Sequence, residues 1–265
     1  MATTYLDNIV DAHRARAAKD TRQWRERADH VRYEGPSLLH ALRSSTNPHV
    51  AVIAEIKRKS PSKGWIDEHL DVATLASAYE KGGASALSVL TDEDFFAGSA
   101  KDVARARTYS TLPILRKDFT VSANDVLDAA EMGASAVLLI VAVLDDAELA
   151  SFIALAHQCG IDALVEVHDE IEARRASDAG ARIVGVNQRD LRSFEVDQGR
   201  AAQVASSLDV NVVRVAESGM TSVQDVRHAA QAGFDAVLVG EAFVRALDAS
   251  ALVHEFSSVP RVARG

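Results

Sequence analysis

Residues 50–65 read VAVIAEIKRKSPSKGW, an apolar run that breaks at Glu55 into Lys57, Arg58, Lys59, Ser60, Pro61, Ser62, Lys63 and Gly64. Continuous apolar positions over 50–54 suit a strand covered on both faces. The charged Ser/Pro/Gly continuation suits the loop leaving its C-terminal end. Four basic residues and two hydroxyls so close together suit an anion, a phosphate or a carboxylate. Read alone, they equally suit a solvated loop.

Outward from this stretch the pattern alternates. Strands are predicted at 50–55, 85–90, 112–116, 136–141, 162–167, 182–187, 211–217 and 235–240. Helices are predicted near 70–81, 99–109, 122–132, 145–159, 169–179, 197–208, 221–232 and 242–256. Eight strands, each followed by a helix, predict a single (β/α)8 TIM barrel. KGGASALSVL, EMGASAVLLI, QCGIDALVEV, DAGARIVGVN and QAGFDAVLVG repeat one passage, from a helix end through glycine into a strand. Gly83, Gly133, Gly160, Gly180 and Gly233 suit left-handed helix stops. An open doubly wound sheet is the alternative, but no GxGxxG fingerprint follows the first strand. Residues 1–48 precede the repeats as a helical extension of the same domain. It comprises a helix over 4–30 with a break near Thr21, then a short helix capped by Ser37 and running through Leu42, closed by Asn47-Pro48.

Composition narrows the function. The 265 residues are 48% apolar and 25% charged, with net charge −9, which argues against general nucleic-acid binding but not against a local positive pocket. Cys159 is the only cysteine, which excludes an intrachain disulfide and fits a cytoplasmic location. The N-terminus does not read as a signal peptide, and no apolar run approaches membrane-spanning length. No HxH or HExxH spacing occurs, so no metal is expected. His168 and His157 share no ligand spacing, and His13, His30, His40, His49, His69, His228 and His254 are assigned surface or packing roles. Phe95 and Phe96 are read as packing residues or as a wall for an aromatic substrate, and Asp92, Glu93 and Asp94 before them as a weak cation candidate.

Barrel chemistry sits at the C-terminal strand ends. There the sequence places Glu55 and Lys57, then Lys117 with Asp118 and Phe119, Glu166, Asn187 with Arg189 and Asp190, Glu217-Ser218-Gly219, and Gly240-Glu241. Burying so many ionisable groups is costly unless they neutralise one another, and that mutual action also shifts pKa values toward acid–base use. A structural ion-pair network accounts for any one of them more readily than for all. Ser218-Gly219 and Gly240-Glu241 offer backbone N–H groups at the usual barrel phosphate position, with Ser60 across the mouth. The Glu241 carboxylate is expected to point away from such a phosphate.

AEIKRKSPSKG (54–64), ALSVLTDEDFFAGS (86–99), PILRKDF (113–119), AVLLI (136–140), ALVEVHDE (163–170), GVNQRDL (185–191), VAESGM (215–220) and VLVGE (237–241) together resemble the indole-3-glycerol-phosphate synthase family of tryptophan biosynthesis. The resemblance covers nearly all the chain from residue 50. It implies ring closure, decarboxylation and dehydration of 1-(2-carboxyphenylamino)-1-deoxyribulose 5-phosphate, with no redox cofactor or metal. It casts Lys117 as the general acid to the ketone oxygen, Lys57 as holder of the anthranilate carboxylate, and Glu166 as their acid–base partner. Glu55 and Asn187 would orient the sugar hydroxyls or the lysine, and Glu217 would add a further polar contact. Ser60, Ser218, Gly219, Gly240 and Glu241 fall on substrate or phosphate positions, with Arg189 at the carboxylate end, and Phe96, Phe119 or Leu139 would wall the ring. A buried Lys117 with a lowered pKa is the expected proton donor. The resemblance also implies N-terminal helices that assist the phosphate side, and it leaves open association with other tryptophan-pathway enzymes. TVSANDV (120–126) departs from the family's usual segment, with Ser122 or Asn124 available as a cap. A sugar-phosphate isomerase, a Schiff-base aldolase and a non-catalytic scaffold are the competing readings.

Overall fold

A computed structural model describes residues 4–43, 48–61, 63–189 and 196–262. Asn47, Ser62 and Asp190 lie outside the described residues. Eight parallel strands form a closed barrel. They are β1 (Ala51–Ile56), β2 (Ala86–Leu90), β3 (Ile114–Lys117), β4 (Ala136–Ile140), β5 (Asp162–Val167), β6 (Ile183–Asn187), β7 (Val213–Glu217) and β8 (Ala236–Val239). β1 pairs with β2 on one side, Ile53 opposite Ala86, and with β8 on the other, Ala51 opposite Ala236, which completes the ring. The expected barrel is present, with strand limits within two residues of the sequence reading.

Side chains alternate along each strand. Val52, Ala54 and Ile56 of β1 pack outward under the helices, while Ala51 and Ile53 join Leu115, Leu138, Leu164, Val215 and Leu238 inside. Around the barrel lie α4 (Val72–Lys81), α6 (Ala100–Tyr109), α7 (Ala123–Glu131), α8 (Asp146–Gln158), α9 (Glu170–Asp178), α10 (Gln198–Ser207), α11 (Val223–Gln231) and α13 (Ala249–Ser257), with one-turn helices α5 (Glu93–Phe96) and α12 (Glu241–Val244) in the second and eighth loops. Asp71, Ser99, Ser122, Asp145, Asp169, Asp197, Ser222 and Asp248 each accept a backbone N–H from the first turn of the helix they precede. At the other ends the five echoed glycines all have φ between 81° and 90°. The residue after each glycine donates back into the last turn, as Ala134 N does to Ala129 O at 3.0 Å. The repeated sequence is therefore a repeated helix stop.

Two expectations change. The helix predicted over 242–256 is two, because the Asp248 carboxylate takes the Ala251 N–H and starts α13 afresh. The basic loop after β1 folds into a small hairpin, Lys59–Ser60 against Gly64–Trp65, turned by Gly64 at φ 68°.

The extension works at both ends of the barrel. α1 (Tyr5–Ala17) and α2 (Trp24–Ala28) flank the expected break. Arg14 of α1 donates to both Glu148 oxygens, at 2.6 and 2.7 Å, and to Val121 O at 2.8 Å. Ser122 is the cap of α7, and Asn124 instead accepts from Arg27 at 2.6 Å, tying α2 to α7. α3 (Leu38–Arg43) closes the N-terminal end, where Asp162 at the head of β5 accepts from Ser37 Oγ and Leu39 N. Leu38 and Leu42 are fully buried in the barrel interior. Leu38→Ala is expected to cost about 2–5 kcal/mol in chemical denaturation and to leave KM unchanged, because the mouth is at the opposite end. Among the described residues, no helix is long and apolar enough to cross a membrane.

Candidate active site

Strand alternation decides what meets at the mouth. The inward series of β1 runs Ala51, Ile53, Glu55 and on to Lys57; that of β3 ends at Lys117, of β5 at Glu166, of β6 at Asn187 and of β7 at Glu217. All six line one cavity of about 560 Å³. So do Ser60, Phe119, Arg189, Ser218, Gly219, Gly240 and Glu241, which brings these thirteen residues to one mouth.

Lys117 Nζ donates to Glu166 Oε2 at 3.0 Å and to Glu217 Oε2 at 2.8 Å. Asn187 Nδ2 donates to Glu166 Oε1 at 3.1 Å, while Lys57 donates to Glu55. Glu55, Glu166 and Glu217 are at most 3% exposed, so their charges are set by one another and by the lysines. Burial works against the Lys117 ammonium, but Glu166, Glu217 and Glu55 outweigh it and hold its pKa above the ordinary lysine value. The expected lowered pKa is thus overturned in the free site: the flanking carboxylates reverse the effect of burial. Burial also raises Glu166, yet Lys117, His168 and the Asn187 amide bring it below the usual range. Glu217 is pushed up to about 7 by burial, with Glu166 adding to the rise. The two glutamates share one cation and titrate as a pair.

Glycines make room for this network. A Cβ on Gly240 would lie 2.6 Å from Glu55 Oε1, and one on Gly185 would lie 1.9 Å from Glu217 Oε1. Ser218 and Gly219 follow in left-handed conformations, φ 67° and 74°. For serine that conformation costs roughly 1–2 kcal/mol. Ser60 Oγ is buried at the mouth and makes no hydrogen bond among the described residues. The Glu241 carboxylate is paired with Arg245 at 3.2 Å, which offsets its charge.

Phe96 and Phe119, with ring centroids 6.2 Å apart, form an aromatic wall beside Leu138 and Ile140, whereas Leu139, between them on β4, points outward under the helices and is not part of it. Phe95 instead meets the Tyr5 ring edge-on. α1 contributes Tyr5, Leu6 and Ile9 to the cavity lining. Its ties fall on the loops after β2, β3 and β4, so it stands on the aromatic side of the mouth rather than assisting the glycine loops after β7 and β8.

Of the two roles assigned to His13 the packing one holds: its ring centroid lies 5.4 Å from that of Phe119; what spacing did not show is its pairing with the loops after β2 and β3. His13 is buried, with Nε2 2.8 Å from Asp92 Oδ2 and 3.8 Å from Asp118 Oδ1. One imidazole nitrogen and two carboxylates thus lie within 4.8 Å, a grouping that could in principle hold a cation. Its donors are already engaged: Asp92 caps α5 through Phe95 N and Phe96 N, and Asp118 accepts from Arg116 at 2.9 Å. A fixed guanidinium against one ligand is unfavourable to a metal ion, and the cluster acts as a clasp between α1 and the barrel. Only contacts across distant segments could have disclosed it.

Fold and site together define a (β/α)8-barrel enzyme whose mouth holds lysines among buried carboxylates, beside an aromatic wall and glycine-rich turns. The family profile described as indole-3-glycerol phosphate synthase matches residues 6–256, and the chain belongs to that family. The indole-3-glycerol phosphate synthase of Micrococcus luteus is 53% identical over 196 residues, 74% of this chain and 73% of that relative. That of a Parafrankia species is 48% identical over 240 residues, 90% of each chain. Among solved structures, thiamine phosphate pyrophosphorylase from Pyrococcus furiosus superposes with a TM-score of 0.58 at 17% identity, covering 79% of this chain and 94% of that one. That likeness is one of fold alone.

Proposed function

We propose that this chain closes the indole ring of 1-(2-carboxyphenylamino)-1-deoxyribulose 5-phosphate, releasing carbon dioxide and water and yielding indole-3-glycerol phosphate. The observation that carries the reading is the Lys117 ammonium held between Glu166 and Glu217 in a cavity with an aromatic wall.

Ring closure joins the ring carbon bearing the carboxylate to the sugar ketone carbon, and negative charge develops on the ketone oxygen. A cation that can also give a proton meets that charge. Lys117 enters fully protonated, so it serves first as a hydrogen-bonding cation and then transfers the proton as the oxygen becomes basic. Loss of carbon dioxide returns an electron pair to the ring. The new hydroxyl then leaves as water with a proton from a lysine, while Glu166 removes a proton from the neighbouring carbon. Lys57 and Arg189 take the anthranilate carboxylate, and Phe119 and Phe96 hold the ring. Glu55, Asn187 and Glu217 keep the lysines and sugar hydroxyls in place. The phosphate lies between Ser218-Gly219 and Gly240-Glu241, with Ser60 Oγ reaching it from across the mouth. The same proposal takes residues 1–265 as one domain and places the protein in the cytoplasm.

Turnover of that substrate, followed by indole fluorescence, tests the reaction; folded protein that yields no product ends the reading. Borohydride added during turnover is expected to trap nothing on Lys117, which separates this chemistry from a Schiff-base aldolase. Ser60→Ala is expected to raise KM roughly tenfold with kcat nearly unchanged, as loss of one hydrogen bond to a charged group implies. An unchanged KM would remove Ser60 from the phosphate site.

A further inference from the structure

Behind Glu166 lies a half-buried histidine that no step above uses. His168 follows β5 and is not among the residues lining the cavity. Its backbone N–H, at 2.8 Å, and its ring Nδ1, at 3.1 Å, both meet Glu172 Oε2 in the first turn of α9. An ionised carboxylate only accepts, so Nδ1 carries the hydrogen and Nε2 is the end left to act elsewhere. That Nε2 is buried, has no hydrogen-bond partner among the described residues, and lies 3.7 Å from Glu166 Oε1.

The surroundings give this geometry a purpose. In the free site Glu166 is compensated mainly by Lys117, on its other oxygen. Once Lys117 turns to the substrate, the buried carboxylate loses that cation, and Asn187 supplies only a neutral amide. We propose that His168, oriented by Glu172, is a positioning residue that acts through Glu166, a fixed cation behind the carboxylate that keeps it ionised while Lys117 is engaged. Burial opposes the imidazolium, but the Glu172 bond and the charges of Glu166, Glu172 and Glu217 outweigh it, so the ring titrates above an ordinary histidine. The groups acting on the ring are therefore Glu172 from α9, Glu166 from β5 and Glu217 from β7, with Lys117 of β3 beyond the two glutamates. Asp169, on the same loop, is taken up by the N–H groups of Ile171 and Glu172.

A protonated ring favours the ionised form of Glu166, so removing it raises the proton affinity of Glu166 and moves the acid limb of the kcat profile to higher pH. In His168→Asn that limb is expected to shift upward by about one unit, a roughly tenfold fall in kcat at pH 6 that recovers by about pH 8. KM should stay within about threefold, because the ring does not line the cavity. Glu172→Gln, which removes the orienting charge and keeps the side-chain size, should shift the limb the same way by less. A uniform loss of kcat with the profile unmoved would mean a merely structural role and overturn the inference. The kinetic arm rests on the proposed reaction; a ring titration does not. By NMR, His168 of the unsubstituted protein is expected to titrate above about 6.5 and to fall in Glu172→Gln. A ring titrating below that value, or one indifferent to Glu172, overturns the inference whatever reaction the site performs. Absence of product from the unsubstituted protein strikes at the reaction alone.

Discussion

Lys117→Ala is expected to lower kcat/KM by roughly 10³-fold or more, the combined scale of a lost general acid and a lost oxyanion partner. Glu166 and Glu217 each bond the ammonium, at 3.0 and 2.8 Å, and without it they face one another buried, with His168 as the cation beside Glu166 and, among the described residues, no cation left on Glu217. Breaking a buried pair in this way costs about 3–5 kcal/mol unless one partner takes up a proton. Glu217, already raised by burial, is the one to do so. A carboxyl whose folded pKa is raised makes its full contribution to stability only below its unfolded pKa, and loses it as pH rises from there through the folded pKa. Without the ammonium, which holds Glu217 down, the variant should go on losing stability above about pH 7, where the loss in the unsubstituted protein levels off, and thermal melts on either side of that pH measure it. Lys117→Arg separates the two roles: it restores the charge, and with it much of the stability, but a guanidinium does not give up its proton near neutrality. Activity of Lys117→Ala within a few-fold of the unsubstituted protein would remove the lysine from the chemistry.

Gly185→Ala should be nearly as damaging, although residue 185 offers no functional group. Its Cβ would lie 1.9 Å from Glu217 Oε1 and 2.9 Å from Leu164 Cδ2. Leu164 belongs to the barrel interior and has little room to move, so the Glu217 side chain must swing away. That swing takes its other oxygen from Lys117. We expect kcat to fall about 10²-fold, since small misplacements of a catalytic group cost that much, with a stability loss of about 1–3 kcal/mol from overpacking. Kinetics together with denaturant titration check both. Unimpaired turnover would show that Glu217 does not need its present place.

How far the sequence disclosed this arrangement depended on the range of the interactions. The strands were legible because parallel strands covered on both faces are apolar without interruption, and the helix stops because glycine is the residue that tolerates φ near 85°. The mouth residues were legible because chain order alone puts them at strand ends. Long-range matters were not. His13 is far in sequence from Asp92, and nothing local to TYLDNIVDAHRARA announces that it is buried. The sign of the Lys117 shift turns on three carboxylates from three other strands, a count that residue types alone do not give. The break between α12 and α13 hung on one aspartate capping rather than continuing a helix, a local competition that an apolar pattern does not report.

The pairing of β1 with β8 has a consequence for synthesis of the protein. Of the barrel strands β1 is the first to leave the ribosome, and its partner on one side is the last. The tail beyond α13 also binds there, with Val50 N donating to Val259 O and Arg261 N to Pro48 O, both at 2.8 Å. Until β8 emerges, the nascent chain carries an open row of backbone donors and acceptors along the apolar strand 51–56, an edge of the kind that recruits other strands. Shielding of that edge therefore waits for the eighth strand, and messages truncated before codon 236 should yield aggregated rather than merely inactive protein.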